Sequence, residues 1–231
     1  MKTIGLIGGM SWESTVSYYQ ALNRGVKAQM GGLHSAKLCL FSLDFDEIEK
    51  LQRQGDWPKM TQILTDAAQA VERAGADFLM ICTNTMHKVA PEIAANISIP
   101  ILHIADATGT KLKDDGITKV GLLGTRFTMA QDFYKGRISQ HFDIEVLVPT
   151  EDEQTQIHDI IYNELCQGVI KPESKDIYSN IISLLHQKGA QGIILGCTEI
   201  ALLINQGDTD VPLYDTTAIH AEQGIQWALS R

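Results

Sequence analysis

Short apolar runs alternate along this chain with longer stretches in which apolar residues return every third or fourth position. Ile4–Ile7 is the first run, and it stops at Gly8-Gly9. From Glu13 to Met30 the spacing is helical, and Gly31-Gly32 ends it. Lys37–Leu43 reads as a strand, Trp57–Gly75 as a helix closed by glycine, and Ala76–Cys82 as another buried strand. Pro100–Ile104 reads as a short strand opened by proline. Strands separated by helices predict an α/β protein built on parallel sheet flanked by helices. Ligands of such sheets bind at the carboxyl ends of the strands.

The pattern then repeats. Ile4-Gly5-Leu6-Ile7-Gly8 matches Val120-Gly121-Leu122-Leu123-Gly124 at an offset of 116, Gly75–Met80 matches Gly189–Ile194 at 114, and Pro100-Ile101-Leu102 matches Pro212-Leu213-Tyr214 at 112. A single match between apolar strands means little. Three in the same order at nearly constant offset predict two copies of one α/β unit. Copies related by a pseudo-twofold axis would present equivalent strand ends to one cleft. The segments that follow the matched strands are Cys82-Thr83-Asn84-Thr85 and Cys197-Thr198-Glu199. Two such polar motifs suit the opposite faces of one small molecule.

Composition narrows the partners. The 231 residues are 44% hydrophobic and 20% charged, a globular balance that excludes a disordered chain. Net charge is -9, from 28 acidic and 19 basic side chains, so the basic footprint of a nucleic-acid binder is missing. The longest run without Asp, Glu, Lys or Arg is Ile93–Ala105, 13 residues, short of the roughly 18–20 that a membrane span needs. The N-terminus reads as a first buried strand and not as an export signal. Cys39, Cys82, Cys166 and Cys197 therefore read as reduced thiols of a cytoplasmic protein. No C-x-x-C or H-E-x-x-H spacing occurs, so no metal site is expected.

Several residues could carry chemistry. Cys197 directly follows the apolar run Gly192–Leu195 and Gly196. Its plain reading is a small buried hydrophobe. Its functional reading is a strand-end thiol whose pKa is lowered by a helix beginning at Thr198 or Glu199. The G-x-[SC]-x-G pattern of a nucleophile elbow is absent, which argues against that class of hydrolase. Asn84 and Thr85 can cap a helix or bind a carboxylate, and the two roles are compatible. His87 reads as a helix-surface or supporting residue. Gly5-Leu6-Ile7-Gly8-Gly9-Met10-Ser11 fails the G-x-G-x-x-G dinucleotide spacing. It reads as a glycine turn that brings Ser11 and backbone amides near an anion, or as a turn alone. The charged run from Asp46 to Arg53 is expected to be mostly a solvated helix face, with Gln52 or Arg53 on a loop within reach of a substrate side chain. Trp12, Trp57 and Trp227 read as packing residues.

Taken together, IGLIGGMSWEST (4–15), ICTNTMHK (81–88) and LGCTEIALL (195–203), supported by VGLLGTRFTM (120–129) and DTTAIHAE (215–222), resemble the cofactor-independent aspartate/glutamate racemase family over the whole chain. The resemblance points to the bacterial L-aspartate/glutamate-specific and broad-specificity amino-acid racemases. It implies two similar lobes, residues 1–103 with 208–231 and residues 104–207, each a parallel sheet flanked by helices. A pseudo-twofold axis would relate them, with the active site between. It also implies an amino-acid substrate, a homodimer and no cofactor.

Racemisation removes the α-hydrogen from one face of the substrate and returns a proton to the other. Without pyridoxal phosphate, only the substrate carboxylate and its hydrogen bonds carry the carbanion charge. A base, an acid and fixed donors are then all required. The resemblance implies two cysteines for the first two roles. Here Thr83 stands where the family has cysteine directly before Asn-Thr, and Cys82 comes one residue earlier. A one-residue shift on extended chain turns a side chain to the opposite face. In the family register Thr83 enters the site; one extra loop residue would bring Cys82 there instead. The expected catalytic pair is Cys197 and Thr83, acting asymmetrically, with Cys197 as acid/base and Thr83 as donor or relay. Met10, Ser11, Asn84, Thr85, Thr125 and Thr198 are expected around the α-carboxylate and amine, Glu199 on the ammonium group, and Gln52 on the side chain. The competing readings are a single-cysteine decarboxylase or isomerase of the same superfamily, and a non-catalytic amino-acid-binding protein.

Overall fold

Every residue of β1, Ile4–Gly8, is buried. A strand buried on both faces needs a neighbour on each edge and helices above and below. In the computed structural model, which describes residues 1–230, β1 lies between β2 (Leu38–Ser42) and β3 (Phe78–Ile81), both parallel to it. Parallel neighbours require crossovers. Helix α1 (Trp12–Met30) joins β1 to β2, and α2 (Phe45–Gln54) and α3 (Trp57–Arg73) join β2 to β3. The helix starts are locally encoded. The side chains of Ser11, Asp44 and Asp56 accept backbone N–H groups at the first turns of α1, α2 and α3. A 3-10 turn over Thr85–Val89 and the short α4 (Ala90–Ala94) follow β3.

Alternation along the strands divides the core of this first unit between the two sheet faces. Ile7, Leu79 and Ile81 pack with Ile48 of α2 and with Met60, Leu64 and Val71 of α3. Ile4, Leu6, Phe78 and Met80 pack with Tyr18, Leu22 and Val26 of α1 and with Ala221 and Ile225 near the C-terminus. Gly5 is required by the first packing, because a Cβ there would sit 2.4 Å from Val71 Cγ1.

The second unit holds α5 (Ile104–Asp114), β4 (Lys119–Gly124), α6 (Arg126–Ala130), α7 (Asp132–Phe142), β5 (Glu145–Leu147), α8 (Glu151–Asn163), α9 (Pro172–Gln187), β6 (Ile193–Gly196), α10 (Ile200–Leu203) and β7 (Leu213–Asp215). Its sheet runs β5-β4-β6-β7, all parallel. The chain leaves the first unit after Ile104 and rejoins it at His220, within α11 (Thr216–Leu229). Among the described residues no helix is long and apolar enough to cross a membrane, and all four cysteines are free thiols.

The internal repeat is visible in the backbone. The matched runs at Ile4 and Val120 are β1 and β4, each central in its sheet. The matched runs at Gly75 and Gly189 lead into β3 and β6, and both glycines have positive φ, 93° and 98°. Leu79 N donates to Pro100 O at 2.9 Å, and Ile193 N donates to Pro212 O at 2.8 Å. Two expectations change. The segment Pro100–Ile104 forms only a bridge between Ile101 and Leu79, because Ile104 already begins α5. The return crossing lies at His220 and not at Asp208, because Leu213–Asp215 pair with β6 and belong to the second sheet. Of the three tryptophans, Trp57 and Trp227 pack partly against the cores, whereas Trp12 is 64% exposed.

A histidine cluster closes the first unit where the chain leaves and re-enters it. His220 is fully buried, with Nδ1 2.8 Å from Tyr18 Oη and Nε2 2.8 Å from Leu102 O. The carbonyl can only accept, so Nε2 carries the proton and Nδ1 accepts from the tyrosine hydroxyl. Burial first, and then the neighbouring His87, push the pKa of His220 down from 6.5 to about 3. The folded state therefore binds fewer protons than the unfolded chain. Stability is complete above the unfolded pKa and drains away as pH falls toward the folded one, at about 1.4 kcal/mol per pH unit. Replacing His220 by Gln keeps a donor for Leu102 O and removes the titration. Melting temperatures followed from about pH 7 to about pH 4 should fall less steeply for His220→Gln than for the native chain; parallel curves would refute the assignment.

Candidate active site

The first sheet ends in a turn that only glycine can make. Gly9 has φ of 86°, and a Cβ there would lie 2.2 Å from Leu43 O. Its N–H donates to Thr15 Oγ1 at 2.8 Å, and that hydroxyl donates to Ser11 O at 2.9 Å. Ser14 Oγ donates to Cys82 O at 3.3 Å, which ties the turn after β1 to the end of β3. The Ser11 hydroxyl accepts from Ser14 N as the cap of α1. Met10 buries its side chain with Ile7, Ile81 and Met86.

Cys82 and Thr83 part at this edge. Cys82 is fully buried among Leu6, Met80, Tyr18 and Leu102, and burial pushes its thiol far above the ordinary range. Thr83 is partly exposed. Asn84 and Thr85 follow, both buried at the start of the 3-10 turn. Gln52 lies on a helix and not on a loop. It shares the inward face of α2 with Ile48, is 5% exposed, and its amide Nε2 has no hydrogen-bond partner. Lys50 and Arg53 turn outward to Asp46 and Glu49, so Arg53 serves the solvated face.

The second sheet ends in two glycines side by side. Gly124 and Gly196 pair in register, and a Cβ on Gly196 would meet Leu123 O at 2.8 Å. The next residues are Thr125, whose hydroxyl caps α6 through Thr128 N, and Cys197. Cys197 Sγ donates to Glu199 Oε2 at 3.0 Å, and Thr198 Oγ1 donates to the same oxygen at 2.6 Å. This carboxylate is 6% exposed. The thiol pKa is raised, against the expectation from a helix start. Desolvation is the largest cause, followed by the charge of Glu199 and then Cys166. The helix α10 has only four residues, too few for a macrodipole that offsets these. Cys197 therefore rests as a thiol hydrogen-bonded to the Glu199 carboxylate.

Register makes Thr83 and Cys197 equivalent. Ile7 of the central strand pairs with Ile81, and its repeat mate Leu123 pairs with Leu195. Thr83 and Cys197 each come two residues after those partners. The mate of Cys197 is thus Thr83 and not Cys82.

A model of the Asp/Glu/Hydantoin racemase family matches residues 7–224. The chain belongs to the Asp/Glu/Hydantoin racemase family. Membership makes it an isomerase, a racemase by family. It is 54% identical to a provisionally assigned Asp/Glu racemase of known crystal structure from Yersinia pestis, with a TM-score of 0.94 and all of both chains covered. It is 35% identical to an aspartate racemase homologue from Pyrococcus horikoshii OT3, with a TM-score of 0.87 and again full coverage. The broad specificity amino-acid racemase RacX of Bacillus subtilis (strain 168) is 24% identical over 76% of this chain and 75% of its own.

Against this family background, one residue escaped the sequence reading. Thr217 is buried and its hydroxyl has no hydrogen-bond partner. It stands two residues beyond Asp215, the strand partner of Leu195, just as Cys197 stands two residues beyond Leu195. The repeat at Pro212 could have flagged this strand end. The electrostatics of the thiol are directly testable. Glu199→Gln removes a negative neighbour and should move the titration of Cys197 to lower pH. Alkylation of the Cys197 peptide across pH, followed by mass spectrometry, reads the shift; an unmoved or raised titration would refute it.

Proposed function

We propose that this chain is a cofactor-independent amino-acid racemase in which Cys197 and Thr83 address opposite faces of the α-carbon. The observation that carries this reading is their equivalence in two units whose first three strands share one order, one residue ending in sulfur and the other in a hydroxyl. Cys197 is the competent acid and base, its thiol held by a hydrogen bond to Glu199. A threonine hydroxyl is a poor base, so Thr83 donates or relays a proton, directly or through water. The substrate carboxylate and the donors at Ser11, Asn84, Thr85, Thr125 and Thr198 hold the carbanion charge. Glu199, already accepting two hydrogen bonds, adds the negative charge that an ammonium group seeks. The unpartnered amide of Gln52 supports a role in reading the substrate side chain. Aspartate, glutamate or a broader set of amino acids is the substrate class.

The asymmetry has a definite form. The equilibrium constant between enantiomers is one, so kcat/KM is equal in both directions and the difference lies in kcat and KM separately. The enantiomer whose α-hydrogen faces Cys197 should exchange that hydrogen with solvent faster than it inverts. In heavy water, a screen of L- and D-amino acids should show α-deuterium incorporation. Cys197→Ser should lower exchange about 10²-fold or more, and Thr83→Ala should cut inversion while leaving exchange at the sulfur face. Equal turnover numbers for both enantiomers, with no loss in Thr83→Ala, would refute the assignment. Because Cys82 lies in the core, the site has one thiol, which also suits a single-cysteine decarboxylase; release of carbon dioxide with exchange would select that reading. Binding without any exchange would select an amino-acid-binding protein.

We also infer a cytoplasmic homodimer. The free thiols support the compartment. Trp12, Val16 and Tyr19, exposed along one face of α1, and Leu40 and Phe41, exposed on edge strand β2, support association with a second copy. A monomer mass in light scattering would remove the dimer.

A further inference from the structure

We propose that His87 is a positioning residue for Thr83, holding the Thr83 backbone through one ring nitrogen while the other nitrogen is anchored at the start of α5. This rests on the catalytic reading of Thr83 given above. His87 is 1% exposed and lies on the 3-10 turn four residues after Thr83. Its Nδ1 is 2.8 Å from Thr83 O, and its Nε2 is 3.2 Å from Ile104 N. A backbone N–H can only donate, so Nε2 is bare and accepts. The proton then sits on Nδ1 and is donated to the Thr83 carbonyl. One neutral tautomer satisfies both neighbours.

The ring has little freedom to move. His103 packs against it with centroids 4.5 Å apart, and His220 meets it edge-on at 5.8 Å. His220 is itself held by Tyr18 and Leu102. The residues that grip His87 therefore include Ile104, where the chain leaves the first unit, and His220, where it returns.

Thr83 needs such a hold. It stands between Cys82, locked in the core, and Asn84, which already has helical backbone angles. The orientation of the Thr83 carbonyl sets the adjoining peptide plane and thereby the direction of Cβ and its hydroxyl. A weak proton donor tolerates little misplacement, and a shift of about 1 Å can cost about 10²-fold in rate. Both nitrogens of His87 are occupied by backbone groups, so the ring has no free nitrogen with which to shuttle a proton. Its influence passes through the Thr83 carbonyl.

Three substitutions separate this role from simple packing. His87→Asn places an amide N–H near the former Nδ1 and keeps the donor to Thr83 O. His87→Gln keeps an acceptor near the former Nε2 and loses that donor. His87→Phe fills the space and loses both. Inversion should fall about 10- to 100-fold in kcat for His87→Gln and His87→Phe, with little change in KM and with solvent exchange at the Cys197 face retained. His87→Asn should recover most of the loss. Nitrogen-15 spectra of the native chain should show the His87 proton on Nδ1, a readout independent of activity. Recovery by Gln instead of Asn, a parallel fall of exchange and inversion, or a proton on Nε2 would overturn the proposal. A native chain that exchanges no α-hydrogen on any amino acid would remove the racemase reading, and this proposal with it. A native chain that inverts substrate while all three variants match it would remove only the role of His87.

Discussion

The pairing of a buried central strand with one neighbour decides where each unit presents its chemistry. Ile7 pairs with Ile81, and Leu123 pairs with Leu195. Beyond these partners the chain leaves the sheet, and side chains that would be buried on a strand come to its carboxyl edge. The central strands are packed on both faces, so a slip by one residue would put Ile or Leu side chains where Gly5 and Gly121 leave no room for even a Cβ. That constraint sends Cys82 inward and leaves Thr83 and Cys197 as mates. The glycines at the same edge serve it too: Gly9 lets the chain pass against Leu43, and Gly196 lets β6 approach β4.

Electrostatics at the second edge then follow from burial. A thiol enclosed by protein and bonded to a carboxylate favours its neutral form, whatever the nearby helix start contributes. The four-residue α10 cannot compete with a full negative charge at 3.0 Å. Thr198 shares that carboxylate, so the oxygen that faces the sulfur is held in place before any substrate arrives. At the first edge no thiol or carboxylate plays this part. Order comes instead from hydrogen bonds to backbone, through Ser14 to Cys82 O and through His87 to Thr83 O. One edge carries a titratable thiol, and the other a threonine whose backbone carbonyl is bonded to His87.

How much was legible beforehand differs from residue to residue. Periodicity found β1, β2 and β3 and the long helices α1 and α3 to within a few residues, since apolar spacing and capping residues are local signals. The duplication was readable because both copies keep the same glycines and prolines at the same turns. The buried place of Gln52 was not. The acidic and basic residues around it mark a solvated face, and only the packing of α2 beside Ile48 shows that one residue in the run turns inward. Trp12 fails in the other direction, because aromatic character alone does not reveal which face of α1 meets the core.

By itself, then, the order of residues determined the α/β class, the two-copy plan, the strand ends and the family, because each of these depends on spacing along the chain. Only the tertiary structure decided that Cys82 is core and Thr83 is not, that Leu213–Asp215 stay with the second sheet, and that Cys197 rests protonated. Those outcomes depend on which groups from distant segments come within hydrogen-bond or van der Waals reach, and on how much water is left between them. His87 shows the difference most directly. Its neighbours in sequence mark it as part of a short turn, whereas its tautomer is set by Ile104, 17 positions further on.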